Sequence, residues 1–133
     1  MATTIPSTSL SAGKIIYAVL NGSAEVKRRV TKIYPVVASI EAQLPYIRYC
    51  RTGQSATPQK DGQPCADTAV IVVECYTAQY LEGMELAEVV RSLLDHKAGT
   101  VGDMRMRACT LVDCAESWQD DAFIQELTFQ VKI

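Results

Sequence analysis

One stretch limits the possible folds of this chain more than any other. Ala69-Val70-Ile71-Val72-Val73 is an unbroken, mostly β-branched run, and an amphipathic helical period begins a few residues later. β-branched side chains are stiff at χ1 and suit a pleated surface, and a run this short between polar residues falls below helix length. It reads as a central strand. After Glu74-Cys75-Tyr76-Thr77 the period changes. Gly83, Leu86, Ala87, Val90, Leu93 and Leu94 share one side of a helix, while Glu82, Glu85, Glu88, Arg91 and Asp95 lie largely off it. Burying each large apolar side chain contributes roughly 1.5–3 kcal/mol, against ~1–2 kcal/mol for every backbone residue fixed. Such a helix has to dock on a sheet. His96 is expected in its final turn, where partial positive charge complements the helix dipole, with Gly99 as the stop signal.

The 133 residues suit a single domain with a genuine core. A formal net charge of −2 supplies no electrostatic reason to seek nucleic acid. No apolar run approaches the ~18 residues that a membrane-spanning helix needs. Met1-Ala2-Thr3-Thr4-Ile5-Pro6 lacks the basic start and apolar centre of a secretory signal, which predicts a protein that stays in the cytosol of its cell.

In chain order, residues 1–10 form a small polar tail. Ala12, Ile15, Ile16, Val19 and Leu20 then share a helix face, with a serine available as N-cap and Asn21-Gly22 to end it. Ser23 is placed to cap a further short turn, followed by the basic cluster Lys27, Arg28, Arg29 and Lys32. No aromatic platform interleaves these charges, so a solvated face is favoured over a nucleic-acid patch. Ile33-Tyr34-Pro35-Val36-Val37 is a short edge strand or extended lead-in, because Pro35 lacks a ladder donor. Tyr46 to Thr52 is a strand paired with the central one. Residues 53–66 contain Pro58, Gly62, Pro64 and the Asp61-Gly62 step, too long for a tight hairpin. They form a loop or a protruding arm, the first candidate for partner contact. Met104 to Glu116 reads as a strand with Met104, Met106, Ala108, Val112 and Cys114 on one side. Ser117 to Asp121 reads as a turn that places Trp118 at a hairpin tip, and Phe123, Leu127, Phe129, Val131 and Ile133 then alternate with polar residues.

The expected fold is α+β: a mainly antiparallel sheet of four to five strands with two helices on one face, in the order α-β-β-β-α-β-β. With both helices on one face, the Val70 and Val72 side of the central strand stays uncovered. An apolar patch there predicts either association with other chains or cover by the 53–66 arm.

Chemical motifs are sparse. Walker, G-x-S-x-G, H-E-x-x-H and dinucleotide signatures do not occur. Cys50, Cys65, Cys75, Cys109 and Cys114 make an odd set without a CxxC pair, read as reduced thiols acting as small hydrophobes. Cys65 stands apart in a polar loop, and with His96 it defines the one enzymatic alternative, a thiol-dependent activity. Glu82, Glu85 and Glu88 sit on a solvent face and Asp120-Asp121 in a turn, so no catalytic, metal or cofactor site is expected.

Several short pieces together resemble a known family. Ile33-Tyr34-Pro35, Leu44-Pro45-Tyr46-Ile47-x-Tyr49, Arg51-Thr52-Gly53, Lys60-Asp61-Gly62, a strand ending at Tyr76, and Tyr80-x-x-Gly83-x-Glu85-Leu86-Ala87-x-x-Val90-Arg91 are similar to the small tail-completion proteins of long-tailed bacteriophages, relatives of tail terminators. The likeness spans about Val30 to Asp95, and the cysteines and polar N-terminus depart from it. It implies a non-catalytic virion protein, from a phage or prophage, that waits in the host cytoplasm. It would then form a homo-oligomeric ring of six copies at the head-proximal end of the tail tube. Its partners would be itself, the tail-tube protein and the head connector or neck, with DNA only passing through a bore kept from adhering by slight negative charge. A head-side neck or stopper component is the alternative within the same class. The expected interface residues are Arg51, Gln59, Lys60 and Asp61 in or beside the arm, and Trp118.

Overall fold

The computed structural model describes residues 8–55 and 67–133. The β-branched run lies in β3 (Thr68–Thr77), the middle strand of a five-stranded sheet. Across the sheet the order is β1 (Lys32–Pro35), β2 (Tyr46–Ser55), β3, β7 (Ala122–Lys132) and β6 (Ala108–Gln119). Every neighbouring pair is antiparallel except β1 with β2, which run parallel. A second, two-stranded sheet joins β4 (Gly99–Val101) to β5 (Met104–Met106). The α+β class is as expected, with one parallel pair and one small sheet added.

The helices are α1 (Gly13–Asn21), α2 (Ala24–Arg29) and α3 (Tyr80–Leu94). Ile15, Ile16 and Leu20 of α1 and Leu86, Val90 and Leu94 of α3 join one core cluster with Ile47, Ile71, Val73, Phe129 and Val131. Those strand residues all have odd numbers, which is the period of two putting alternate side chains on one face. Both helices therefore cover the same side of the sheet.

Local signals resolve differently at four points. Helix one is entered through a 3₁₀ turn at Ser9–Ser11, where the Thr8 hydroxyl accepts the Leu10 N–H at 3.3 Å, and no serine caps α1 itself. Ser23 does cap α2, accepting from the Val26 N–H at 3.3 Å. At the other end of the core, α3 stops at Leu94, before His96 and well before Gly99. His96 adopts φ +65° and its N–H donates to the Cys109 carbonyl at 2.7 Å, while Asp95 Oδ1 accepts the Leu111 N–H at 3.0 Å. The neighbouring strand β6 offers partners that end the helix, and Gly99 opens β4 instead.

The strand expected from Met104 to Glu116 is two strands. Met104 and Met106 are buried in the small sheet, and Arg107 carries the chain across to β6. Across Arg107 the alternation shifts, so Cys109 and Leu111 face the core. A bulge between Leu111 and Asp113 then shifts the register again, setting Cys114 opposite Leu127, and both Val112 and Cys114 are exposed on this edge strand. A bulge adds one residue and so inverts alternation beyond it, which a count along the sequence cannot anticipate. Finally, β6 continues through Trp118 to Gln119, and the turn is only Asp120-Asp121, at φ +51° and +61°. Two central residues at positive φ match the twist of antiparallel strands, and Asp tolerates the left-handed region better than bulkier residues.

Candidate assembly surfaces

The face of the sheet away from the helices is built from even-numbered positions of β1, β3 and β7 and of β2 as far as its bulge after Arg51. Tyr46 stacks on Tyr76 with ring centroids 4.6 Å apart and planes at 15°, and meets Tyr34 edge-on at 5.6 Å. In the adjacent register pair, Arg48 grips Glu74 through both Nε, at 3.0 Å, and Nη2. The Tyr76 hydroxyl donates to the other Glu74 oxygen at 3.0 Å. The bonds that Arg48 itself donates to Glu74 raise its pKa further above its already high value. Burial, followed by the Glu74 charge, pushes Tyr76 well above the usual phenol range.

The large apolar patch expected here is not what the face presents. Val72 is 9% exposed and Val70 half-buried, among tyrosines and an ion pair. Long side chains with polar tips cover apolar neighbours with their stems while the tips stay wet. Residues 56–66 of the arm, the competing cover, lie outside the described residues. Replacing Arg48 with Met would strip Glu74 of its partner. Because one flank is open to solvent, unfolding in urea should show a loss of only about 1 kcal/mol. Adding Glu74→Leu should recover it, since an ion pair replaced on both sides by apolar groups is close to neutral. A double variant less stable than the single one would contradict this.

Beside this face lies an open hollow of about 660 Å³, between the 36–44 loop and the β6–β7 turn, lined by Ile40, Leu44, Tyr46, Glu74, Asp120 and Ile124 among others. The loop exposes Val36, Val37 and Ile40. Val36 sits at φ +63°, a region that β-branched residues rarely adopt, and its N–H donates to the Tyr49 carbonyl at 2.7 Å. On the helix side of the same end, Trp118 is 59% exposed and pairs across strands with Phe123. Phe123 meets the Tyr80 ring at 5.8 Å, and the Tyr80 hydroxyl donates to Glu116 at 2.9 Å. Leu81 and Met84 add exposed apolar surface on α3.

Of the expected interface residues, Trp118 is exposed but stands on β6 and not in the turn. Arg51 is exposed on β2, its Nη1 donating to Gln54 Oε1 at 2.7 Å. Gln54 Nε2 in turn donates to Ser9 Oγ at 2.6 Å, and the buried Ser9 hydroxyl donates to Asp67 at 2.7 Å. This chain of bonds ties the start of the described chain to the root of the arm. Gln59, Lys60, Asp61 and Cys65 lie outside the described residues. The structure thus sets Arg51 and Trp118 toward opposite ends of the sheet, not in one site. Sequence reading missed the tyrosine cluster and the Arg48–Glu74 pair. Their only trace is alternation, Tyr46-x-Arg48 on one strand and Glu74-x-Tyr76 on its antiparallel neighbour.

The basic cluster is divided between helix and strand. Arg28 pairs with Glu25 at 2.7 Å, and Arg29 reaches Glu85 of α3 at 3.1 Å. These are exposed contacts of a solvated helix face. Among the described residues no group of His, Cys, Asp and Glu is placed to hold a metal, and no helix is long and apolar enough to cross a membrane. His96 is exposed beyond the end of α3. Cys75 and Cys109 are buried, and burial pushes both thiols up to about 12. Cys114 is exposed on β6. Since the thiolate is the nucleophile, brief alkylation of the native protein at pH 8 should label Cys114 and spare Cys75 and Cys109. Peptide mass spectrometry reads this out, and labelling of the buried pair without unfolding would contradict the packing.

No family model matches the chain, and neither does any curated protein. A solved structure does. The fold is shared with a chain of the structure described as the virion of a native gene transfer agent particle. The superposition has a TM-score of 0.72 at 16% identity and covers 88% of this chain and 90% of that one. At that identity the likeness establishes the fold over nearly the whole length of both chains.

Proposed function

We propose that this protein is a structural component of a phage-like virion. Within it, the protein acts as a tail-completion or tail-terminator protein, forming a ring at the head-proximal end of the tail tube and joining it to the head. The observation that carries this reading is the near full-length fold likeness to a virion chain. The motifs between Val30 and Asp95 that resemble tail-completion proteins support it independently. Two further features suit a subunit that contacts its own kind. Among the described residues no further strand pairs with the outer side of β1 or of β6, the two edges of the sheet. Exposed Trp118, Leu81, Met84, Val37 and Ile40 crowd the turn end of the sheet, and aromatic side chains of this kind serve as interface anchors. On this reading the partners are other copies of the chain, the tail-tube protein and the neck, and six copies is the number the family resemblance implies.

Electron microscopy of the purified protein, alone and mixed with tail tubes, tests the proposal. Rings, and tubes capped at one end, are the expected result. A species that stays monomeric at high concentration and ignores tubes would overturn it. Labelled protein found on the head side of the neck would assign the chain to the neck instead.

A further inference from the structure

The small net charge conceals a separation along the sheet. From Ala108 to Val131 the β6–β7 hairpin carries Asp113, Glu116, Asp120, Asp121 and Glu126 and no Lys, Arg or His. At the opposite edge, Lys27, Arg28 and Arg29 stand on α2 and Lys32 on β1. Lys27 and Lys32 are exposed and line one hollow with Val30 and Ile33. Among the described residues the ion pairs of this margin use Arg28 and Arg29 and not the two lysines, and Lys32 keeps its Nζ 5.3 Å from the centroid of the Tyr34 ring.

β1 and β6 are the two edges of a single sheet, facing in opposite directions, and α2 leads directly into β1. On β6, every residue from Val112 to Gln119 is exposed. Long edges of this kind are ordinarily blunted by lysine, proline or cover. Here the guarding charges are carboxylates, which attract a basic surface. β1 and β6 also run in opposite senses, since one parallel step and three antiparallel steps separate them. A neighbour in the same orientation therefore brings its β1 antiparallel to β6.

We infer that the acidic β6–β7 margin of one copy docks on the basic α2–β1 margin of the next, each edge being occupied by a second copy of this chain. The inference rests on the ring reading above and supplies its contact. A head-to-tail interface closes into a ring when its rotation closes. Pro35 withholds one ladder donor from β1, so charge pairing, and not a full backbone ladder, holds the contact. The register follows from charge as well. Lys97, Arg105 and Arg107 lie around the small sheet, toward the start of β6. A contact shifted that way would set cation against cation.

Sedimentation velocity at matched concentrations tests this with three variants: Asp113→Lys/Glu116→Lys, Lys27→Glu/Lys32→Glu, and the chain carrying all four changes. Each double variant should lose at least about tenfold in self-association. The fourfold variant, whose edges have exchanged signs, should recover it, and added salt should weaken the wild-type assembly. Double variants that assemble like the wild type overturn the edge pairing and leave the ring reading standing. Loss in the double variants without recovery in the fourfold variant also overturns it, because the defect then lies in the fold. A wild-type chain that is monomeric throughout and caps no tubes removes the ring reading and the pairing with it.

Discussion

Phe129→Ala should lower the free energy of unfolding by about 3–5 kcal/mol. Phe129 is fully buried and heads the largest buried side chains. It lies on β7 between Ile71 of β3 and Leu111 of β6 in the cross-strand register, beneath the helices. Truncation removes the transfer energy of the ring and leaves a cavity whose walls are held by two flanking strands and cannot close. Domains of this size are marginally stable, so a loss on this scale is a large fraction of the total. Urea unfolding followed by circular dichroism checks it. A loss below about 1 kcal/mol would mean that the ring does not fill the centre of the core.

Gly83→Ala should also destabilise, by roughly 1–3 kcal/mol, although Ala inside an exposed helix is favoured over Gly by ~1 kcal/mol. The two effects have opposite signs, which makes the variant informative. A Cβ on Gly83 would stand 2.7 Å from Thr77 Oγ1. Thr77 is fully buried, and its hydroxyl donates to the Gln79 carbonyl at 2.8 Å, so it cannot turn away without giving up that bond. The first turns of α3 are seated on the end of β3 by the missing side chain. Thermal unfolding decides between the outcomes, and a raised melting temperature would show that the helix stands further from the sheet than described.

Much of this architecture was legible before any coordinates. β3 and α3 could be read because each carries an uninterrupted local period, two for the strand and 3.6 for the helix, and burial follows period. The cap of α2 by Ser23 was legible for the same reason, since a cap is a contact between residues three apart. The end of α3 was not. It depends on the Cys109 carbonyl and the Leu111 N–H, which a stretch of sequence read by itself does not place nearby. The candidate surfaces divide likewise. Trp118 and Arg51 were named as interface candidates; both are exposed, and their separation toward opposite ends of the sheet is a matter of strand order and register. The pairing of Arg48 with Glu74 and the stacking of Tyr46 on Tyr76 depend on register across 26 and 30 positions of sequence (74 − 48 and 76 − 46).

By itself, the sequence determined where α1, β3, α3 and β7 lie and which face of each is apolar, because those properties are set by residues a few positions apart. Only the tertiary structure decided which strands stand at the edges, where the bulge in β6 inverts the alternation, and that acidic and basic residues collect on opposite margins. Those are properties of register and strand order, fixed when distant segments pack together and gain the burial that no single segment can obtain alone.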